Sequence, residues 1–157
     1  MNTDDTLQDL TSRADIIRLV DAFYDRIRRD EKLGPIFNDI AQVNWETHLP
    51  KMYDFWDTVL FGAGTFRGNP LAAHAKLVST ADMSKASFDH WLELFTATVH
   101  DLFQGANAAV ILRSAEDMAN VIYSKINQVP DPRFDPANLT PEQRERYARY
   151  KQTETPS

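Results

Sequence analysis

His48 and His74 are the residues of this chain best suited by type and setting to do chemistry. His48 stands in "HLPKMYDF", one helical turn before Met52 and two before Phe55, so a helix here carries it on an apolar face. His74 stands in "GNPLAAHAKL", among small side chains, with no acid, thiol or second histidine close by in sequence. Taken singly, each reads first as a buried imidazole satisfied by one hydrogen bond. The familiar catalytic arrangements are absent around them. The histidines lack the HExxH spacing and a surrounding carboxylate cluster that zinc would need. No glycine-rich loop follows a strand, which argues against dinucleotide and P-loop sites, and no elbow motif marks a serine nucleophile. What is left is an apolar helical bundle with two inward histidines, separated by the crossing "GAGTFRGNP". Such a bundle suits a flat cofactor with one histidine toward each face. Haem is the leading candidate, since its iron takes one neutral imidazole and leaves the opposite face to a gas or water.

The elements that must position these histidines read as helices nearly throughout. In "SRADIIRLVDAFYDRIRRD", Ile16, Val20, Phe23 and Ile27 form one stripe with Ile17 and Tyr24 beside it, and Ser12 and Asp15 suit the first turn. "LGPIFNDI" breaks the pattern at Gly34-Pro35 and is expected to present Ile36 and Phe37 from a turn. A second helix starts near Trp45, with His48, Met52, Phe55 and Val59 on one face, and stops at Gly62. Pro70 suits the first turn of a short helix over "PLAAHAKL". A polar linker, "VSTADMSKAS", leads to a long helix with Phe88, Trp91, Leu92, Phe95, Val99 and Leu102 in register. A last helix carries Ala108, Ile111, Leu112, Ala115, Met118, Ile122 and Ile126. His90 and His100 fall off the apolar stripe and read as surface residues. No useful period-2 segment is present, so the expected fold class is all-α.

Composition narrows the setting. A chain of 157 residues, 43% hydrophobic and 11% aromatic, can build one sizeable core. It has no cysteine, which excludes disulfides, thiolate metal sites and a cysteine nucleophile. A net charge of −6 and the absence of a basic face argue against nucleic acid as a partner. No apolar run reaches the ~18 residues of a membrane span, and "MNTDDTLQDL" is acidic where a signal peptide is basic and then apolar. The expectation is a cytoplasmic protein without a membrane partner. Beyond Pro130 the character changes: "PDPRFDPANL" is punctuated by proline, and "TPEQRERYARYKQ" reads as a short polar helix with Thr140, Pro141 and Gln143 as its start signals. The expected organisation is a domain over residues 1–129 and an extension over 130–157.

Three blocks, "FYDRIRRDEKLGPIFN", "HLPKMYDFWDTVLFGAGTFRGNPLAAHAKL" and "FDHWLELF", resemble the successive blocks of the truncated haemoglobins of group III, over roughly residues 12 to 128. The resemblance implies a two-over-two helical sandwich, a shortened globin, here with a C-terminal extension. It implies haem b as cofactor, with His74 at the position of the iron ligand. His48 matches the distal histidine, described for this group more as a gate than as a clamp on the ligand. Tyr24 matches the distal tyrosine, and Trp91 the tryptophan whose indole N–H faces the bound ligand. Phe23, Phe37, Met52, Phe55 and Leu71 match cofactor-packing positions, while Lys51 and Lys76 are placed for the propionates. Phenol and indole donors in a low-dielectric pocket favour a ligand with partial negative charge, such as O2, over an apolar one such as CO.

The chain departs from the family pattern at several points. Pro50 follows His48 by two residues, where a proline removes a backbone donor, so the distal helix is expected to start late or kink. Ala75 stands where a larger apolar residue is usual, and the linker after Leu77 is longer than usual and lacks the family's prolines. The implied function is binding of O2, NO, CO or similar ligands, as a monomer. NO dioxygenation and peroxidase-type turnover remain open as activities, each with an external electron donor. The alternative is a globin-fold sensor or interaction module that signals through a partner.

Overall fold

Helix α1, Arg13–Arg29, buries Ile16, Leu19, Val20, Phe23, Tyr24 and Ile27, the expected stripe widened by Leu19. The computed structural model describes residues 7–66, 68–75, 81–131, 133 and 141–142, and for Leu71, Ala72 and Ala75 the backbone alone. Ser12 occupies the N-cap of α1, but its side chain makes no capping bond. Asp15 instead reaches back to accept from the backbone N–H and the hydroxyl of Thr11. After the turn at 31–33 the chain does not simply bend, as expected. It forms a π-helical turn, Ile36–Ile40, closed by the Ala41 N–H on the Ile36 carbonyl at 2.7 Å. Gly34 is required just before it, because a Cβ there would lie 2.7 Å from the Arg28 carbonyl oxygen.

Helix α2, Trp45–Phe61, begins where its apolar pattern begins, not late, although Pro50 lies inside it. Asn44 secures the start: its side chain accepts from the Glu46 N–H at 3.0 Å, and its carbonyl accepts from His48 at 2.8 Å. Gly62 ends the helix with φ of 69°, a left-handed cap open to glycine without strain. The expected apolar face stops short of that end, since Val59 is 37% exposed, as is Phe61 at 39%. Helix α3 covers Pro70–Ala75; Lys76 and Leu77 lie outside the described residues. Helix α4 runs Lys85–Leu102, so the last residues of the supposed linker are already helical, with Ser84 as N-cap. Helix α5 is Ala106–Asn127, ended by Gln128 in the left-handed region.

α1 packs on α2 and α4, and α5 packs on α4, α2 and α3, so two helices lie over two. Among the described residues there is no strand. Aromatic rings fill the middle. Trp56 of α2 stacks on Phe95 of α4 at 5.0 Å, Trp91 lies nearly parallel to Phe95 at 5.5 Å, and Phe23 of α1 meets Phe95 edge-on. Burying each such side chain contributes about 1.5–3 kcal/mol. Arg13 of α1 pairs with Asp54 and the buried Asp57 of α2, and Arg26 of α1 with Asp101 of α4. His90 is not the free surface residue its register suggests: it is half-buried, with Nε2 2.7 Å from Asp30. His100 is exposed. No helix among the described residues is long and apolar enough to cross a membrane. Of the extension, Arg133 pairs with Asp131 and reaches Asp117 on α5, and residues 141–142 are helical; Thr140 and Gln143 lie outside the described residues.

The start of α5 depends on a residue far away in sequence. Asp9 accepts from the backbone N–H groups of Asn107 and Ala108, each at 2.9 Å, and so caps α5 in place of a local side chain. Gly105 makes room for it, because a Cβ there would lie 2.5 Å from the Asp9 carboxyl carbon. Burial alone would raise the Asp9 pKa, but the N–H groups of Asn107, Ala108 and Leu10 outweigh it and hold the carboxyl below its usual 3.8. Asp9→Ala is therefore expected to lower unfolding stability by about 1–2 kcal/mol at neutral pH. The unfolded chain binds the proton more readily, so this difference is complete above pH 3.8 and shrinks as pH falls through the lower folded value. Urea titrations of both proteins at pH 7 and pH 3 check this; a difference that grows on acidification contradicts it.

Candidate functional site

Beside the aromatic column the helices leave a cavity of about 530 Å³, within the range of small-molecule and cofactor sites. The turn after α1 and the π-helical segment form one wall through Leu33, Ile36, Phe37 and Ile40, with Ala41 and Val43 following. The first turn of α2 contributes His48, and α3 contributes Ala73 and His74. Ser87, Phe88 and Trp91 of α4 and Met118, Ala119 and Ile122 of α5 complete it, with Asp82 and Met83 from the segment before α4. Two histidines thus face one largely apolar space.

α3 fixes the tautomer of His74. Its Nδ1 lies 2.6 Å from the Pro70 carbonyl one turn earlier, and a carbonyl only accepts, so Nδ1 carries the proton. The Nε2 lone pair is then left available, the tautomer in which metal-binding histidines are usually held. The Phe88 ring lies 6.5 Å away, tilted against the imidazole.

His48 is held differently. Its ring meets Tyr24 edge-on at 5.3 Å and Trp45 edge-on at 5.6 Å. Its Nε2 is buried with no hydrogen-bond partner among the described residues. Burial first, then the electrostatic influence of Lys51 and His74, push its pKa below 6.5, so the ring is neutral at neutral pH. A neutral imidazole with an unsatisfied buried nitrogen is costly for a core, and a polar occupant of the cavity would relieve it. Burial also pushes the Tyr24 phenol well above its usual value, so the hydroxyl stays a donor across the physiological range.

His48, His74, Trp91 and Phe37 therefore share the cavity wall. Tyr24 is buried immediately behind His48, and Phe23 packs beneath both Tyr24 and Trp91. Met52 and Phe55 pack against the core, Phe55 between Trp56 and Phe66, and neither lines the described cavity. Lys51 is exposed beside His48 in sequence. The Leu71 side chain and Lys76 lie outside the described residues. Sequence reasoning did not assign a site role to Trp45, Leu33, Ser87 or Phe88. Phe88 was visible on the α4 stripe, whereas Ser87 carried no signal, being a buried serine in what looked like a polar linker.

Comparisons with known proteins identify the family of the chain. A family model described as bacterial-like globin matches residues 7–124. The group 3 truncated hemoglobin ctb of Campylobacter jejuni is 32% identical over 108 residues, covering 67% of this chain and 83% of that protein. The crystal structure of a group III truncated hemoglobin from Campylobacter jejuni superimposes with a TM-score of 0.69 at 28% identity, covering 77% of this chain and 95% of that one. The matched span runs from ahead of α1 nearly to the end of α5 and so takes in every wall of the cavity: the chain belongs to the bacterial-like globins and, within them, to the group III truncated haemoglobins.

Proposed function

We propose that the cavity holds haem b, with His74 as the iron ligand through Nε2, and that the protein binds O2 and other diatomic ligands there. The observation that carries this reading is the His74 Nδ1–H bond to the Pro70 carbonyl, on a residue that lines an apolar cavity of cofactor size. Haem supplies an iron centre with a coordination position left for a small ligand. The rest falls to the chain. Leu33, Ile36, Phe88 and Ile122 exclude water from the cavity faces, and Lys51, with Lys76, is proposed to pair with the propionates. Trp91 offers its indole N–H at the wall, and Tyr24 keeps its phenolic proton because ionising it in this apolar setting is costly. His48 stays neutral, so it adds no positive charge beside the ligand.

A donor at the wall, Trp91, with the Tyr24 phenol buried behind His48, would hold a polar ligand tightly in this low-dielectric space, which suits chemistry or sensing better than bulk transport. NO dioxygenation and peroxidase-type turnover, each with an external electron donor, are the activities that fit such retention.

His74→Gly is expected to abolish the Soret band of protein purified or reconstituted with haem, and imidazole added to the buffer to restore it. His48→Ala is expected to keep the band. If His48→Ala loses it and His74→Gly does not, the two sides are assigned the wrong way round. Trp91→Phe and Tyr24→Phe are each expected to speed O2 release about tenfold, the equivalent of one buried hydrogen bond of ~1–1.5 kcal/mol. Stopped-flow displacement of O2 by CO reads the rate, and unchanged release in both variants refutes the donor assignment.

A further inference from the structure

His48 lies in the least self-sufficient turn of α2. Pro50 lacks the N–H that would otherwise bond the Glu46 carbonyl, so the placement of this turn relies on its N-cap and on side-chain packing. That packing is concentrated in Trp45. The Arg28 guanidinium sits 4.4 Å over its ring, Phe37 stacks on it at 6.1 Å and 24°, and its Nε1–H donates to Asn38 Oδ1 at 3.3 Å. Asn38 in turn donates to the Arg28 carbonyl at 3.5 Å. Trp45 is thus fastened to the end of α1 and to the π-helical turn, and it presents an edge contact to His48. Tyr24, itself 5.5 Å from Trp45, meets the same imidazole at 5.3 Å, so the three rings form a triangle that holds His48 while its Nε2 has no hydrogen-bond partner among the described residues.

We propose that Trp45 is a positioning residue that fixes where the His48 imidazole stands in the cavity, and through it sets how readily small ligands reach the site. The proposal rests on the haem reading for its ligand and on Trp45 itself for its geometry. Trp45 does not line the described cavity, so it acts through His48. Phenylalanine at this position keeps the ring against His48 and loses the bond to Asn38, whereas leucine loses both.

The test is a double-mutant cycle on the haem-loaded, CO-bound protein, reading CO association by flash photolysis and the C–O stretching band by infrared spectroscopy. Trp45→Leu is expected to change association by about three- to thirtyfold and to shift or broaden the band, with Trp45→Phe staying close to wild type. In the His48→Ala background, Trp45→Leu is expected to change neither. Equal changes in both backgrounds overturn the proposal, as does a Trp45→Leu protein identical to wild type. Proton NMR of the histidine rings in the haem-free protein reads the same placement without the cofactor. The His48 ring protons, displaced by the ring current of Trp45, are expected to move in Trp45→Leu. Unmoved His48 resonances sink this proposal, whereas a wild-type protein that retains no haem, and so shows no Soret band, after reconstitution and removal of free haem sinks the haem reading alone.

Discussion

Phe95 packs against two indoles and a phenyl ring, and the position of the cavity follows from that cluster. With Trp56 of α2 stacked on it and Trp91 parallel to it, α4 has little freedom to rotate or slide against α2, and Phe23 meets the ring edge-on from α1. Close-packed interiors resist small displacements, and large flat rings resist them more than aliphatic chains do. Trp91 is the last ring of the column and the first residue of the cavity wall. The rigid core and the site are therefore one continuous structure, and the Trp91 indole is placed by packing against Phe23 and Phe95.

Charge is distributed to suit this. The carboxylates that pair inside the fold, Asp54, Asp57, Asp101 and Asp30, tie helices together away from the cavity. Among the described residues that line the cavity only Asp82 is a carboxylate, and its exposed side chain pairs with Lys32 at 3.7 Å. An acidic chain thus keeps an almost neutral cavity wall, with its ion pairs placed elsewhere.

Much of the fold was legible in the sequence because helical stripes are local. The α1 stripe, the Gly62 stop and the Pro70 start each needed only a few neighbouring residues. The misreadings share a different property. Val59 obeys the α2 period but lies past the point where α1 stops covering that face. Lys85 to Ser87 looked like linker because polar residues in a first turn and in a loop are alike. His90 was read as free, although its partner, Asp30, lies at the end of another helix. The π-helical turn left no periodic signature over so short a span. For the site, His74 and His48 could be singled out from their settings, while Tyr24 and Trp91 gained roles only through resemblance to a family. Trp45 was visible only as a helix start, since its contacts with Arg28, Phe37 and Asn38 come from the fold.

The bond from Asp9 to the start of α5 closes a loop of nearly a hundred residues. Loop-closure entropy grows only as the logarithm of length, so the span costs little more at equilibrium than a much shorter one. In time it behaves otherwise, because distant partners meet late. During synthesis Asp9 is made early and waits, uncommitted, while α1 to α4 are laid down, and the first turn of α5 is settled only when the two ends meet. Since α5 also supplies the Met118, Ala119 and Ile122 wall, the N-terminal segment bears on the cavity without lining it.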